Sequence, residues 1–273
     1  MIYIVTAPPG WGKTAYLTHM GIQAGFDRCR TLLMQDEIRC KMENGFLSLK
    51  TIPQHCVSAN YDIAMRQFLC TPRRNRRINP YRLGFANKEG VDVHFTLPYE
   101  FICITEAQKY YDSRRSKFFP SWQSRWFEAH RHNDLTIYMD TQRHDLIDKN
   151  IRSIAQIIEI HNLYVDEDRY GEPCRLIWEL RKFESARLYD YYLDSGSRDR
   201  GLYVPDVEIA NYNVFACYDS KGCKPKFYDG HLNQDFDYLL SEPTKESFDE
   251  YVRLLKLFDD EMPDNYLKYK GAA

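Results

Sequence analysis

No two cysteines of this chain are spaced C-x-x-C, and none of its eight stands at zinc-finger spacing. That excludes the common local zinc and dithiol motifs. No secretory signal is evident, so Cys29, Cys40, Cys56, Cys70, Cys103, Cys174, Cys217 and Cys223 are expected to be reduced thiols of a soluble cytoplasmic chain. Apolar runs last only a few residues, so no membrane span is expected in the sequence as given. Neither sign of charge dominates, with 37 Lys+Arg against 39 Asp+Glu, which excludes a global polyelectrolyte. Internal repeats and low-complexity tracts are also missing.

What charge there is lies unevenly. Between Asp62 and Glu89 stand seven basic residues and no acidic ones, including "TPRRNRRINPYR". From His231 onward, ten acidic residues face five basic ones. At 273 residues the chain can bury the core of one large α/β domain.

The N-terminal "IYIVTAPPGWGKTAYLTH" carries the strongest chemical signal. Ile2-Tyr3-Ile4-Val5 suits a buried parallel strand. The stretch Ala7 to Thr14 then fits a phosphate-binding loop opening a helix. Glycines let the backbone curl its N–H groups toward phosphate oxygens, and the helix adds the positive end of its dipole. Pro9, Gly10, Trp11, Gly12, Lys13, Thr14 and Ala15 are the expected ATP-binding residues. Lys13 would reach the β- and γ-phosphates, and the Thr14 hydroxyl would ligate Mg²⁺. Ala7 stands where the strict pattern has glycine, at a position that needs only a small side chain. Trp11 either packs on a neighbouring element or flanks the nucleotide.

A second strand, "FICITE", ends in a carboxylate. Glu106 stands where a general base for water is wanted, while Thr105 occupies the magnesium side, usually an Asp. A hydroxyl can hold a metal-bound water but brings no charge. Alternatively the frame slips by one, and Glu106 is the lone metal-side acid. Gln142, closing "LTIYMDTQ", is either a sensor of the γ-phosphate or a polar strand end. Arg114, Arg115, Arg131 and Arg152 follow these strand ends and are candidates for the arginine that offsets transition-state charge, often from a neighbouring subunit. His130 and His132 lie two apart on a helical pattern and point in different directions, so no structural metal is expected there.

Elsewhere, helices are expected at 15–24, 31–43, in "PSWQSRWFEAHRH" and before the strand "QIIEIHNLYV". Strands are expected at 55–58 and in both "CRLIWELRKFE" and "RLYDYYLD". Strand and helix alternation predicts a three-layer P-loop NTPase with a mainly parallel central sheet. Residues 1–220 read as that domain and 221–273 as an acidic extension, with an amphipathic helix near 241–258.

The order of Glu106-Ala-Gln108, Arg114, His130-Arg131-His132, Thr141-Gln142 and Ile147-Asp148 with Arg152 resembles the zonular occludens toxin (Zot-like) family, which includes assembly ATPases of filamentous phages. "VSANYD" at Asn60 and "VFACYDS" near Tyr218 also resemble family segments. The resemblance implies an oligomeric ATPase, a hexamer among the options, using ATP and Mg²⁺ to drive virion extrusion at the cytoplasmic face of the host inner membrane. Phage coat or assembly proteins would be its partners. The membrane would be reached through a partner or a segment absent from this chain. Arg114 and Arg131 would be catalytic beside Lys13, Glu106 and Gln142. Arg73, Arg74, Arg76 and Arg77 could contact single-stranded DNA, or form a solvated loop. The other readings are a small-molecule or nucleoside kinase, and a nucleotide-gated assembly protein with little hydrolysis.

Overall fold

Ile2–Thr6 (β1), apolar and β-branched, forms a strand with a parallel neighbour on each side. The computed structural model of the chain describes residues 1–25, 57–63, 75–78, 80, 83–86, 92–94, 96, 100–119, 121–195 and 200–218. After β1 come a helix over 13–25 (α1), then Val57–Ala59 (β2), Arg76–Arg77 (β3), Gly84–Ala86 (β4), Asp92–His94 (β5) and Phe101–Ile104 (β6). Ser121–Glu128 (α2), Thr136–Thr141 (β7), Lys149–Ile154 (α3), Gln156–Glu167 (β8), Pro173–Phe183 (β9), Ala186–Ser195 (α4) and Val204–Asn211 (β10) follow.

The main sheet runs β10-β9-β8-β1-β7-β6-β2-β3. From β8 to β3 every pairing is parallel; β8, β9 and β10 add an antiparallel wing. β4 and β5 form a separate antiparallel pair. Strand alternation divides the core in two. Ile4, Ile102, Ile137 and Met139 face α2, α3 and α4 through Trp126, Ile151 and Tyr189. Val5, Cys103, Tyr138 and Ile158 face α1 through Tyr16 and Leu17. Fully buried aliphatic side chains such as Ile4 and Ile137 each contribute roughly 1.5–3 kcal/mol. At Gly21 a Cβ would come within 3.2 Å of Cys103 Sγ, so a side chain there would press on the sheet under α1. The result is the expected three-layer α/β fold with a mainly parallel central sheet.

Some local expectations change. "RLYDYYLD" is a helix, α4, not a strand. Its buried Ala186 and Tyr189, with Leu188 and Tyr192 packed beside them, recur at helical spacing that the density of aromatics obscures in the sequence. β10, not among the expected strands, is paired to β9 along its whole length, with Pro205 tolerated in an edge strand. β7 ends at Thr141, one residue before Gln142. Asp148 is an N-cap: its side chain accepts from Asn150 N–H at 2.8 Å and starts α3. His130 is buried, with Nδ1 2.6 Å from the Phe127 carbonyl, while His132 is exposed.

The expected helices at 31–43 and 241–258, the extension 221–273, Arg73, Arg74 and five of the cysteines lie outside the described residues. Cys103, Cys174 and Cys217 are free thiols. Among the described residues no helix is long and apolar enough to cross a membrane.

Candidate functional site

β1 delivers the chain to the loop, and two glycines turn it. Gly10 and Gly12 have φ of 83° and 69°, the left-handed region where a side chain is strained. Tyr16 N–H then donates to the Gly12 carbonyl at 2.8 Å, the first bond of α1. Gly12 is confined from below as well, since a Cβ there would meet Leu163 Cδ2 at 3.1 Å and Trp178 Nε1 at 3.3 Å. Gly12→Ala is therefore expected to destabilise the fold by about 2 kcal/mol and to weaken triphosphate binding. Denaturant unfolding and nucleotide titration of the variant check this.

Lys13 Nζ folds back onto the loop, donating to the Ala7 carbonyl at 2.9 Å and the Pro8 carbonyl at 3.0 Å. Burial lowers the pKa of its amine, against the opposing pull of Asp140 and Glu106. Ala15 is fully buried under the loop. Trp11 packs against the α1-side core and lines a cleft of about 720 Å³ outside the loop, shared with Pro8, Pro9, Gln142, His161 and Asp194.

The ends of β6 and β7 meet the first turn of α1. Thr14 Oγ1 lies 3.1 Å from Thr105 Oγ1, so the two hydroxyls expected to hold Mg²⁺ are brought together. Between them stands a group that sequence reading passed over, Asp140. Its Oδ2 accepts from Thr105 Oγ1 at 3.0 Å and from Thr14 Oγ1 at 3.2 Å; its Oδ1 accepts from Glu106 N–H at 2.7 Å. Asp140 is only 1 % exposed. Burial pushes its carboxyl up to about 6, against the Glu106 N–H, the Thr105 hydroxyl and Lys13, with the Glu106 charge adding to the rise. The signal for it was an acidic residue inside the otherwise apolar "TIYMDT". Thr14, Thr105 and Asp140 present only hard oxygen donors, a set that fits Mg²⁺.

Asn60, at the end of β2, clamps the β6 turn through both backbone groups of Thr105: Thr105 N–H donates to Asn60 Oδ1 at 2.9 Å, and Asn60 Nδ2 donates to the Thr105 carbonyl at 3.0 Å. Beyond it, Glu106 takes φ 55° and ψ 43°, a left-handed conformation uncommon outside glycine. Its carboxylate is half-buried, with Oε2 3.1 Å from Gln108 Nε2 and 3.3 Å from Lys109 Nζ. Gln142 is exposed, and its carbonyl accepts from Thr6 Oγ1 at 3.3 Å, which places the tip of β7 beside the root of the loop.

The arginines divide differently. Arg114 is exposed, and its guanidinium grips Asp112 at 2.9 and 3.0 Å. Arg131 is not at the loop of its own chain. Its turn leads into β7 from the end where Met1 N–H donates to Leu135, so six residues of strand, roughly 17 Å, separate it from Asp140's end of the sheet. β7 runs toward the loop, so what precedes it lies at the far edge. Arg76 and Arg77 form the short outermost strand β3.

Residues 77–168 match the family model of the zonular occludens toxin, Zot. The resemblance to the Zot-like family holds. The match covers about a third of the chain. It includes Thr105, Glu106, Asp140 and Gln142 of the site, while the phosphate-type loop precedes the Zot segment. Among solved structures, the N-terminal domain of zonular occludens toxin from Neisseria meningitidis is similar at 16% identity, over 80% of this chain and 98% of that one, with a TM-score of 0.42. The genome packaging NTPase B204 from Sulfolobus turreted icosahedral virus 2, in complex with ATP-gammaS, is similar at 9% identity over 76% and 95%, with a TM-score of 0.32. None of the curated proteins matches.

Proposed function

We propose that this chain is a P-loop ATPase that binds and hydrolyses ATP to drive the assembly and extrusion of a filamentous phage. One observation carries the reading, the convergence of the loop's Lys13 and Thr14 with Thr105 and Glu106 from a separate strand; Gln142, two residues beyond Asp140 of β7, and the family match over 77–168 agree with it.

In this reading the loop N–H groups hold the phosphates, and Lys13 leaves its carbonyl partners to reach the β- and γ-oxygens. Glu106 orients and deprotonates the attacking water. Gln142 stands by the γ-phosphate. Thr14 and Thr105 would hold Mg²⁺, which would supply positive charge against the phosphoryl oxygens. A neighbouring subunit supplies the arginine, Arg131 or Arg114, and an oligomer, a hexamer among the options, forms at the cytoplasmic face of the host inner membrane. The basic stretch Arg73, Arg74, Arg76 and Arg77 contacts single-stranded DNA, and coat or assembly proteins are the other partners.

In a phage genome carrying Glu106→Gln here, viral DNA should still accumulate while extruded virions disappear. Virions at undiminished titre would sink the assembly reading. The cleft beside the loop favours one second reading, phosphoryl transfer to a small acceptor. Phosphate released from ATP with no acceptor present separates the two.

A further inference from the structure

The strand that should bring an acid to the magnesium side brings a hydroxyl, yet the site is not short of a carboxylate. Asp140 sits one strand over. β6 and β7 pair in parallel with Ile104 beside Met139, so the next positions along, Thr105 and Asp140, lie side by side. Asp140 also pairs with Val5 of β1, which puts it between the strand that carries the loop and the strand that carries Glu106.

We propose that Asp140 is the carboxylate that holds the nucleotide's divalent cation, transposed by one strand from the place that Thr105 fills. The inference rests on the reading of the loop as a nucleotide site. Three observations carry it. Asp140 Oδ2 is within hydrogen-bond reach of both hydroxyls expected at the metal, at 3.0 and 3.2 Å, so any cation held by Thr14 meets this carboxylate. Asp140 has no salt bridge among the described residues; the amine of Lys13 donates to Ala7 and Pro8, and only its charge reaches the carboxylate. A buried carboxylate with no cation in contact is costly to keep, and such groups concentrate where function needs them. Finally, Oδ1 accepts the Glu106 N–H at 2.7 Å, so one carboxylate both faces the metal position and fixes the base's backbone.

In this arrangement Thr105 is a donor that orients Asp140. A single swap then has a clear expectation: Thr105→Asp with Asp140→Thr should rebuild the acid on β6.

The test is equilibrium binding of a non-hydrolysable ATP analogue, with and without Mg²⁺ or Mn²⁺, to wild type, Asp140→Asn and the double swap. Thermal melts show that each is folded. In wild type the divalent cation should tighten binding. In Asp140→Asn the metal-dependent gain should fall by about 10–100-fold, with metal-free affinity unchanged. The double swap should recover it. A full metal-dependent gain in folded Asp140→Asn overturns the inference and leaves the loop reading intact. A wild type that binds no nucleotide, with or without metal, overturns both.

Discussion

Glu106→Gln should slow ATP hydrolysis by about 10²–10⁴-fold, the range that a positioned general base contributes, while ATP affinity stays within a few-fold of wild type. The substitution keeps shape and hydrogen-bonding length and removes only the capacity to take a proton. Glu106 is suited to that isolated role. Its backbone N–H is held by Asp140, the preceding residue is clamped by Asn60, and among the described residues its carboxylate contacts two side chains of the following turn, Gln108 and Lys109. None of those contacts is needed to bind phosphates. Steady-state phosphate release and nucleotide binding on the same preparation measure the two effects separately.

Lys13→Ala should instead act on binding. Each charge-assisted hydrogen bond to a phosphate contributes roughly 1.5–3 kcal/mol, so losing two predicts about a 10²–10⁴-fold weaker complex. Without nucleotide the same amine satisfies the Ala7 and Pro8 carbonyls, and its burial already disfavours its charge. Truncation should therefore change the unfolding free energy of the nucleotide-free protein far less than it changes nucleotide affinity. Calorimetric titration beside a denaturant melt resolves the contrast.

Parts of this site could be read from the sequence because they are local. The loop is a contiguous run whose glycines, lysine and threonine act through backbone conformation over eight residues, and it folds as its sequence implies. The Glu106 strand end was likewise legible from one apolar run with one carboxylate after it. Asp140 was not. Its importance depends on lateral register between β6 and β7, which brings residues 105 and 140 together through pairing that no window of sequence contains. The place of Arg131 was not legible either. It is near the strand in sequence but precedes it, and a strand carries its two ends to opposite edges of the sheet. α4 was misread because its three tyrosines favour strands in isolation, and its packing on Phe183 and His144 reveals the helical face. Asp148, prominent in the family-like order, caps a helix rather than touching the loop.

The most direct measurement is phosphate release from Mg²⁺-ATP by wild type, with bound nucleotide followed in parallel and Lys13→Ala as the reference. The account predicts saturable release, one ADP for each phosphate without any added acceptor, and loss of both binding and release in Lys13→Ala. Nucleotide bound by wild type with no phosphate released, or release that persists in Lys13→Ala, would contradict it.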